Sequence, residues 1–149
     1  MPFDNFVSAN IYLIAGGTGI TPIRSVLNSL HNKKMKSRTI LFYGVKSPKD
    51  FMYTDEFDSW NVKTIVENYS EADKWNGNVG YVTKLLTNEM DFKHGICFVC
   101  GPNPMMQNVV SILKSIGFTE DQLFVSIEKM INNQVIGPVF PVSDHNVPF

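Results

Sequence analysis

Cysteine is scarce here: two in 149 residues, Cys97 and Cys100. That excludes a disulfide framework and points to a reducing, cytoplasmic setting. The three histidines, His31, His94 and His145, are scattered, so no metal site is expected. Basic runs are missing too. Thirteen Lys and Arg stand against 14 Asp and Glu, for a net charge of −1, which argues against a nucleic-acid partner or an anionic membrane surface. No apolar run approaches the roughly 20 residues that a membrane-spanning helix needs, and no charged-then-apolar signal peptide opens the chain. Internal repeats and low-complexity stretches are likewise absent.

What is present is a chain that is 44% hydrophobic, enough for one domain with its own core. Its apolar segments alternate in kind. "NIYLIA" (10–15), "TILFYGV" (39–45), "VKTIV" (62–66), "GICFVC" (95–100) and "QLFVSI" (122–127) read as buried strands. Between them, Ile23, Val26, Leu27 and Leu30 form a helical stripe, as do Met106, Val109, Val110, Leu113 and Ile116, with Gly117 as a left-handed cap. Two further helices are expected. One starts at "SPKD" (47–50) and carries Tyr53, Phe57 and Trp60; the other carries Val82, Leu85 and Leu86. Continuous apolar strands alternating with helices predict a three-layer α/β fold: a five-stranded parallel sheet of order 3-2-1-4-5 with helices on both faces. Residues 1–130 form this domain, and the proline-bearing tail 131–149 is expected to be extended.

Two junctions carry the chemistry. The first strand runs into Gly16, Gly17, Thr18 and Gly19, and Thr21 then caps a helix with Pro22 in its first turn. The fourth strand runs into Gly101 and Pro102, followed by Asn103 as cap and Pro104. Each places helix N–H groups and a positive dipole end at one edge of the sheet, where glycine lets a pyrophosphate approach the backbone. In the order 3-2-1-4-5 the two strands are neighbours at the switch point where ligands bind. A glycine-rich turn is also ordinary punctuation between strand and helix; the pair of junctions favours the ligand reading. The loop lacks the Lys-Ser/Thr of a P-loop, and Pro22 replaces the last glycine of the Rossmann fingerprint. Lys46 and Lys49, after the second strand, are suited to a 2′-phosphate. Cys97 and Cys100 lie three apart on a strand and point to opposite faces: Cys97 into the core, Cys100 toward the ligand edge. Tyr43 either stacks on an adenine or simply packs.

"AGGTGITPIRS" (15–25) together with "CGPNPM" (100–105) resembles the NAD(P)-binding domain of the ferredoxin–NADP reductase superfamily. The resemblance implies that Gly16, Gly17, Thr18, Gly19, Thr21 and Pro22 hold the pyrophosphate of NAD(H) or NADP(H). It also implies that Cys100, Gly101, Pro102 and Met105 frame the nicotinamide. Glu128 falls where related reductases keep a carboxylate near the flavin, so it either handles protons or is a solvated residue after a strand. "PFDNF" (2–6), "WNGNVGYVTKLL" (75–86), "VSIEKM" (125–130) and "GPVF" (137–140) are similar to the electron-transfer flavoprotein subunits of sulfhydrogenase, anaerobic sulfite reductase and dihydroorotate dehydrogenase.

Two departures qualify that likeness. The family's FAD-binding β-barrel precedes this domain, whereas only nine residues precede the first strand here. The four-cysteine loop between "EKM" and "GPVF" is replaced by "INNQVI"; a [2Fe–2S] cluster needs about four thiolates, so none is expected in this chain. The reading is a nicotinamide-binding module of a flavin-dependent oxidoreductase, with FAD supplied by a missing domain or partner and a redox protein as a further partner. The alternative is a docking or regulatory domain that has lost its redox cofactors. A self-sufficient dehydrogenase is disfavoured, because no Tyr-x-x-x-Lys pair or His with an acid partner stands in a suitable place.

Overall fold

Alternate residues of the first strand enter different cores: Ile11, Leu13 and Ala15 pack on one side of the sheet and Ile14 on the other, all completely buried. Such two-sided burial is what a continuous apolar strand requires. The computed structural model describes residues 9–32, 38–126, 129–131, 134–136 and 139–143. Strand β1 (Asn10–Gly16) is central, flanked by β2 (Thr39–Val45) and β5 (Gly95–Cys100). Beyond β2 lie β3 (Val62–Val66) and the two-residue β4 (Asn78–Val79); beyond β5 lie β6 (Leu123–Ser126) and β9 (Val139–Pro141). A separate antiparallel pair joins β7 (Lys129–Ile131) to β8 (Gln134–Ile136).

The sheet therefore corrects the expected count. Six strands are parallel, in the order β4-β3-β2-β1-β5-β6, where five were expected, and β9 adds an antiparallel edge. The five expected strands keep their relative order. The addition is β4, which pairs Ile65 with Asn78 and Val66 with Val79.

Helix α1 (Ile20–Asn32) covers one face, setting Ile20, Ile23, Leu27 and Leu30 against Leu13, Leu41 and Phe98. Helix α2 (Asn103–Ile116) covers the other, setting Met106, Val109, Val110 and Leu113 against Ile14, Cys97 and Val99. Each fully buried Leu or Ile contributes on the order of 1.5–3 kcal/mol. Gly117 ends α2 at φ 132°, with its N–H bonded to the Leu113 and Lys114 carbonyls.

The two other expected helices are short 3₁₀ turns instead. Residues Pro48–Asp50 and Thr54–Ser59 connect β2 to β3, and Val82–Leu85 lies between β4 and β5. The Ser47–Asp50 capping box forms, with the Ser47 N–H donating to the Asp50 carboxylate at 3.1 Å. The chain then extends at Phe51 and turns left-handed at Tyr53 (φ 61°), which stops helix propagation. Phe51, Phe57 and Trp60 still reach the α1-side core, so the apolar spacing is used without a helix. Two caps are also corrected. Helix α1 begins at Ile20, directly after the tight turn Gly17–Gly19, so Thr21 lies inside it. Pro102 holds the cap position of α2, so Asn103 is its first residue.

Candidate functional site

Three neighbouring strands carry a glycine at or beside their carboxyl ends. Gly16 closes β1, Gly44 is paired with it across the β1–β2 ladder, and Gly101 follows β5. A Cβ on Gly101 would stand 2.7 Å from the Met105 sulfur and 3.3 Å from the Gly16 carbonyl oxygen. A Cβ on Gly19 would overlap the Cys100 carbonyl. The two glycine junctions therefore meet backbone to backbone, at the point where the connections leave β1 and β5 in opposite directions.

Above this seam opens a cleft of about 560 Å³. Gly16 and Gly17 form part of its wall, Lys46 and Glu67 enter from the ends of β2 and β3, and Tyr81 and Met105 line it from the 80–83 segment and α2. Gly17 sits at φ 54°, and a Cβ there would project into open space. Neither the Gly17–Gly19 turn nor α2 has a side-chain cap, and neither α1 nor α2 has an acidic residue in its first turn. Neither helix start thus carries a carboxylate of its own, which suits an anionic ligand. Lys46 adds a cation to the cleft and Glu67 an anion.

The sequence-predicted residues divide into groups. Gly16, Gly17, Lys46, Pro102 and Met105 line the cleft. Gly19 and Gly101 are buried in the seam behind it, and Thr18 is exposed on the turn between Gly17 and Gly19. Thr21 points elsewhere: its hydroxyl lies 3.3 Å from that of Tyr53. Pro22 borders a small crevice beside Ile23, Val26 and Phe98 on the α1 side. Tyr43 is fully buried beneath that face, where its hydroxyl accepts the Met52 N–H at 3.0 Å and its ring meets Phe51 edge-on at 5.1 Å. Burial raises its phenol pKa. Glu128 lies outside the described residues.

Both cysteines are fully buried, Cys97 in the α2-side core and Cys100 in the α1-side core. Burial drives the Cys97 thiol far above its ordinary range. Among the described residues no cluster of His, Cys, Asp or Glu could hold a metal ion. No helix among them is long and apolar enough to cross a membrane.

Glu67 and Tyr81 escaped the sequence reading. Both lie within or beside a polar stretch without periodicity; the sign available was the position of Glu67 one residue past a strand end, the equivalent of Lys46 after β2.

Comparisons with known proteins fit this geometry. The family model described as "Oxidoreductase NAD-binding domain" matches residues 13–111. NADH-cytochrome b5 reductase 2 of Candida glabrata is 32% identical over 139 residues, covering 76% of this chain and 46% of that protein. The xylene/toluene monooxygenase electron transfer component XylA of Pseudomonas putida is 26% identical over 125 residues, covering 78% and 36%. The chain spans less than half the length of either relative. A ferredoxin NADP+ reductase from Neisseria gonorrhoeae, solved with bound FAD and NADP, shares the fold at TM-score 0.69 and 14% identity, covering 84% of this chain and 58% of that one. With glycine junctions at the switch point and a family match across β1 to α2, the chain belongs to the oxidoreductase NAD-binding domain family, in the company of ferredoxin reductase-like electron-transfer proteins.

Proposed function

We propose that the cleft binds a nicotinamide dinucleotide and presents its ring to a flavin held by a further domain or a partner protein. The pyrophosphate lies along the Gly16–Gly17 backbone at the start of α1. The nicotinamide rests at the Gly16–Gly101 seam, and the adenosine end runs toward Lys46, Glu67 and Tyr81. The observation that carries this reading is the seam itself: bare backbone at two adjacent strand ends, at the switch point, opening into one cleft. Glycine at those positions gives a flat ring and a pyrophosphate the closest approach to the chain.

Hydride chemistry belongs to the nicotinamide and the flavin; this chain's residues bind and orient. Gly17 keeps a Cβ out of the phosphate path. Gly19 lets α1 start against the Cys100 carbonyl, so Cys100 contributes through its backbone. Met105 borders the ring. We assign this role to residues 1–130; of the segment that follows, β8 pairs with β7 and β9 joins the sheet beside β6. The relatives named as reductases and electron-transfer components support a redox protein as the eventual acceptor.

Glu67 deepens the reading toward NADH. A carboxylate accepts hydrogen bonds from ribose hydroxyls and repels a 2′-phosphate, whereas Lys46 alone would favour the phosphate.

The test is calorimetric titration of the chain with NADH and, separately, NADPH. Saturable binding with NADH tighter is expected. Absence of binding of either at millimolar concentration, in protein shown folded by circular dichroism, would overturn the reading.

A further inference from the structure

The space above the glycine seam is not empty. A Cβ on Gly16 would overlap the Met105 sulfur; one on Gly101 would stand 2.7 Å from that sulfur and 2.8 Å from the Met105 methyl. One thioether thus fills the volume that two missing side chains leave. Met105 is the third residue of α2, half-buried, and it also lines the cleft. The three heavy atoms nearest a notional Cβ at Gly16 all belong to Met105. A flat ring lying against the bare backbone of Gly16 and Gly101 must take the same volume, and two groups cannot share it.

Methionine is suited to yielding. It is unbranched, adapts to irregular space and changes rotamer easily. On the cleft side it has about 560 Å³ into which it can turn.

We propose that Met105 is a displaceable cover over the Gly16–Gly101 seam, and that the ring end of the dinucleotide seats only when this side chain swings aside. The inference rests on the reading of the cleft given above and adds a positioning residue to it. In this arrangement Met105 reduces the apparent affinity for the ring by the fraction of molecules in which the seam is open. The adenosine and pyrophosphate half binds without that reduction. Met105 also discriminates in favour of groups flat enough to enter between its displaced thioether and the backbone.

The test compares wild type, Met105→Ala and Met105→Ile by calorimetry with two probes, ADP-ribose and NADH. ADP-ribose affinity should stay within about twofold across all three, which also reports that each variant is folded. Met105→Ala removes the cover, so NADH should bind roughly three- to tenfold more tightly. Met105→Ile keeps the bulk but stiffens it at χ1 within a helix, so NADH should bind at least about threefold more weakly. The ε-methyl resonance of Met105 in wild type should shift with NADH and hold still with ADP-ribose.

Weaker NADH binding by Met105→Ala, with ADP-ribose unchanged, would overturn the proposal by making Met105 a wall of the ring site. Equal NADH affinity in all three chains would overturn it as well. In both cases the cleft reading stands, because ADP-ribose still binds. Failure of wild type to bind ADP-ribose would overturn the cleft reading and this proposal together.

Discussion

Gly19 and Cys100 touch backbone to backbone: a Cβ on Gly19 would overlap the Cys100 carbonyl and come within 2.8 Å of the Gly101 nitrogen. Gly17, two residues earlier, has open space where its Cβ would be, at φ 54°. The two glycines thus answer different demands, one from packing and one from conformation and ligand access.

Their alanine variants should separate those demands. Gly19→Ala forces the two junctions apart and should cost about 1–3 kcal/mol of stability, the range for overpacking. Gly17→Ala should cost about 1–2 kcal/mol for the left-handed backbone while leaving the seam closed. On the proposed reading its Cβ would stand in the phosphate path, so dinucleotide affinity should fall roughly tenfold or more. Thermal melts and calorimetric titration of the two variants check this; a Gly17→Ala chain binding NADH as wild type does would remove the pyrophosphate from this turn.

Glu67 and Lys46 enter the same cleft from adjacent strand ends with opposite charges, so on the proposed reading they would act oppositely on a 2′-phosphate. Glu67→Gln should shift preference toward NADPH by roughly three- to tenfold, and Lys46→Ala should shift it toward NADH by a similar factor, with both effects weaker at high salt. The ratio of the two dissociation constants, measured at low and high ionic strength, is the readout. A ratio unmoved by either change would place the adenosine end elsewhere.

Tyr43 separates packing from binding in another way. Its buried hydroxyl accepts the Met52 N–H at 3.0 Å, and Tyr43→Phe would leave that donor without its partner at a cost of about 1–2 kcal/mol. NADH affinity should stay within about twofold, since the ring lies beneath the α1 face, away from the cleft lining. A large loss of affinity with unchanged stability would return Tyr43 to the adenine.

Asp91 should lend the fold a pH dependence from beside the amino ends of β1 and β5, opposite the cleft. Its carboxylate accepts the N–H groups of His94 at 3.1 Å and Lys93 at 3.2 Å and the Asn10 amide at 2.8 Å. The His94 backbone bond is the largest influence holding its carboxyl below the ordinary range, followed among the favourable ones by the Asn10 amide. A lowered folded pKa means that this contribution is present above the ordinary Asp value of about 3.9 and is lost as pH falls through the lowered one. Urea midpoints for wild type and Asp91→Asn should therefore differ near neutral pH and converge on acidification. A constant gap would show that charge on Asp91 contributes nothing.

Much of this architecture is legible from runs of residues. β1, β2, β5 and β6 announce themselves because both faces of each are apolar, and β3 by the β-branched run that ends in Ile65 and Val66. The glycines of the seam can be read because two similar junctions recur at strand ends. What hides is set by tertiary contact. Tyr53, Phe57 and Trp60 have helical spacing, yet the left-handed backbone at Tyr53 breaks the helix and the aromatic rings reach the core one by one. β4 is two residues long and exists by pairing with β3. β9 is fixed by β6 rather than by its own pattern. Glu67 carries no motif, and only the sheet order brings it beside Lys46.

The central position of β1 has a consequence in time. Asn10 pairs with Gly95, 85 positions later. At roughly 5–20 residues per second of synthesis, one hydrogen-bonding edge of β1 waits about 4–17 seconds on the ribosome for its β5 partner. The two walls of the seam are made at opposite ends of that interval. A ligand gripping both can therefore act only after the sheet has closed, and it then reports on completion of the sheet as a whole.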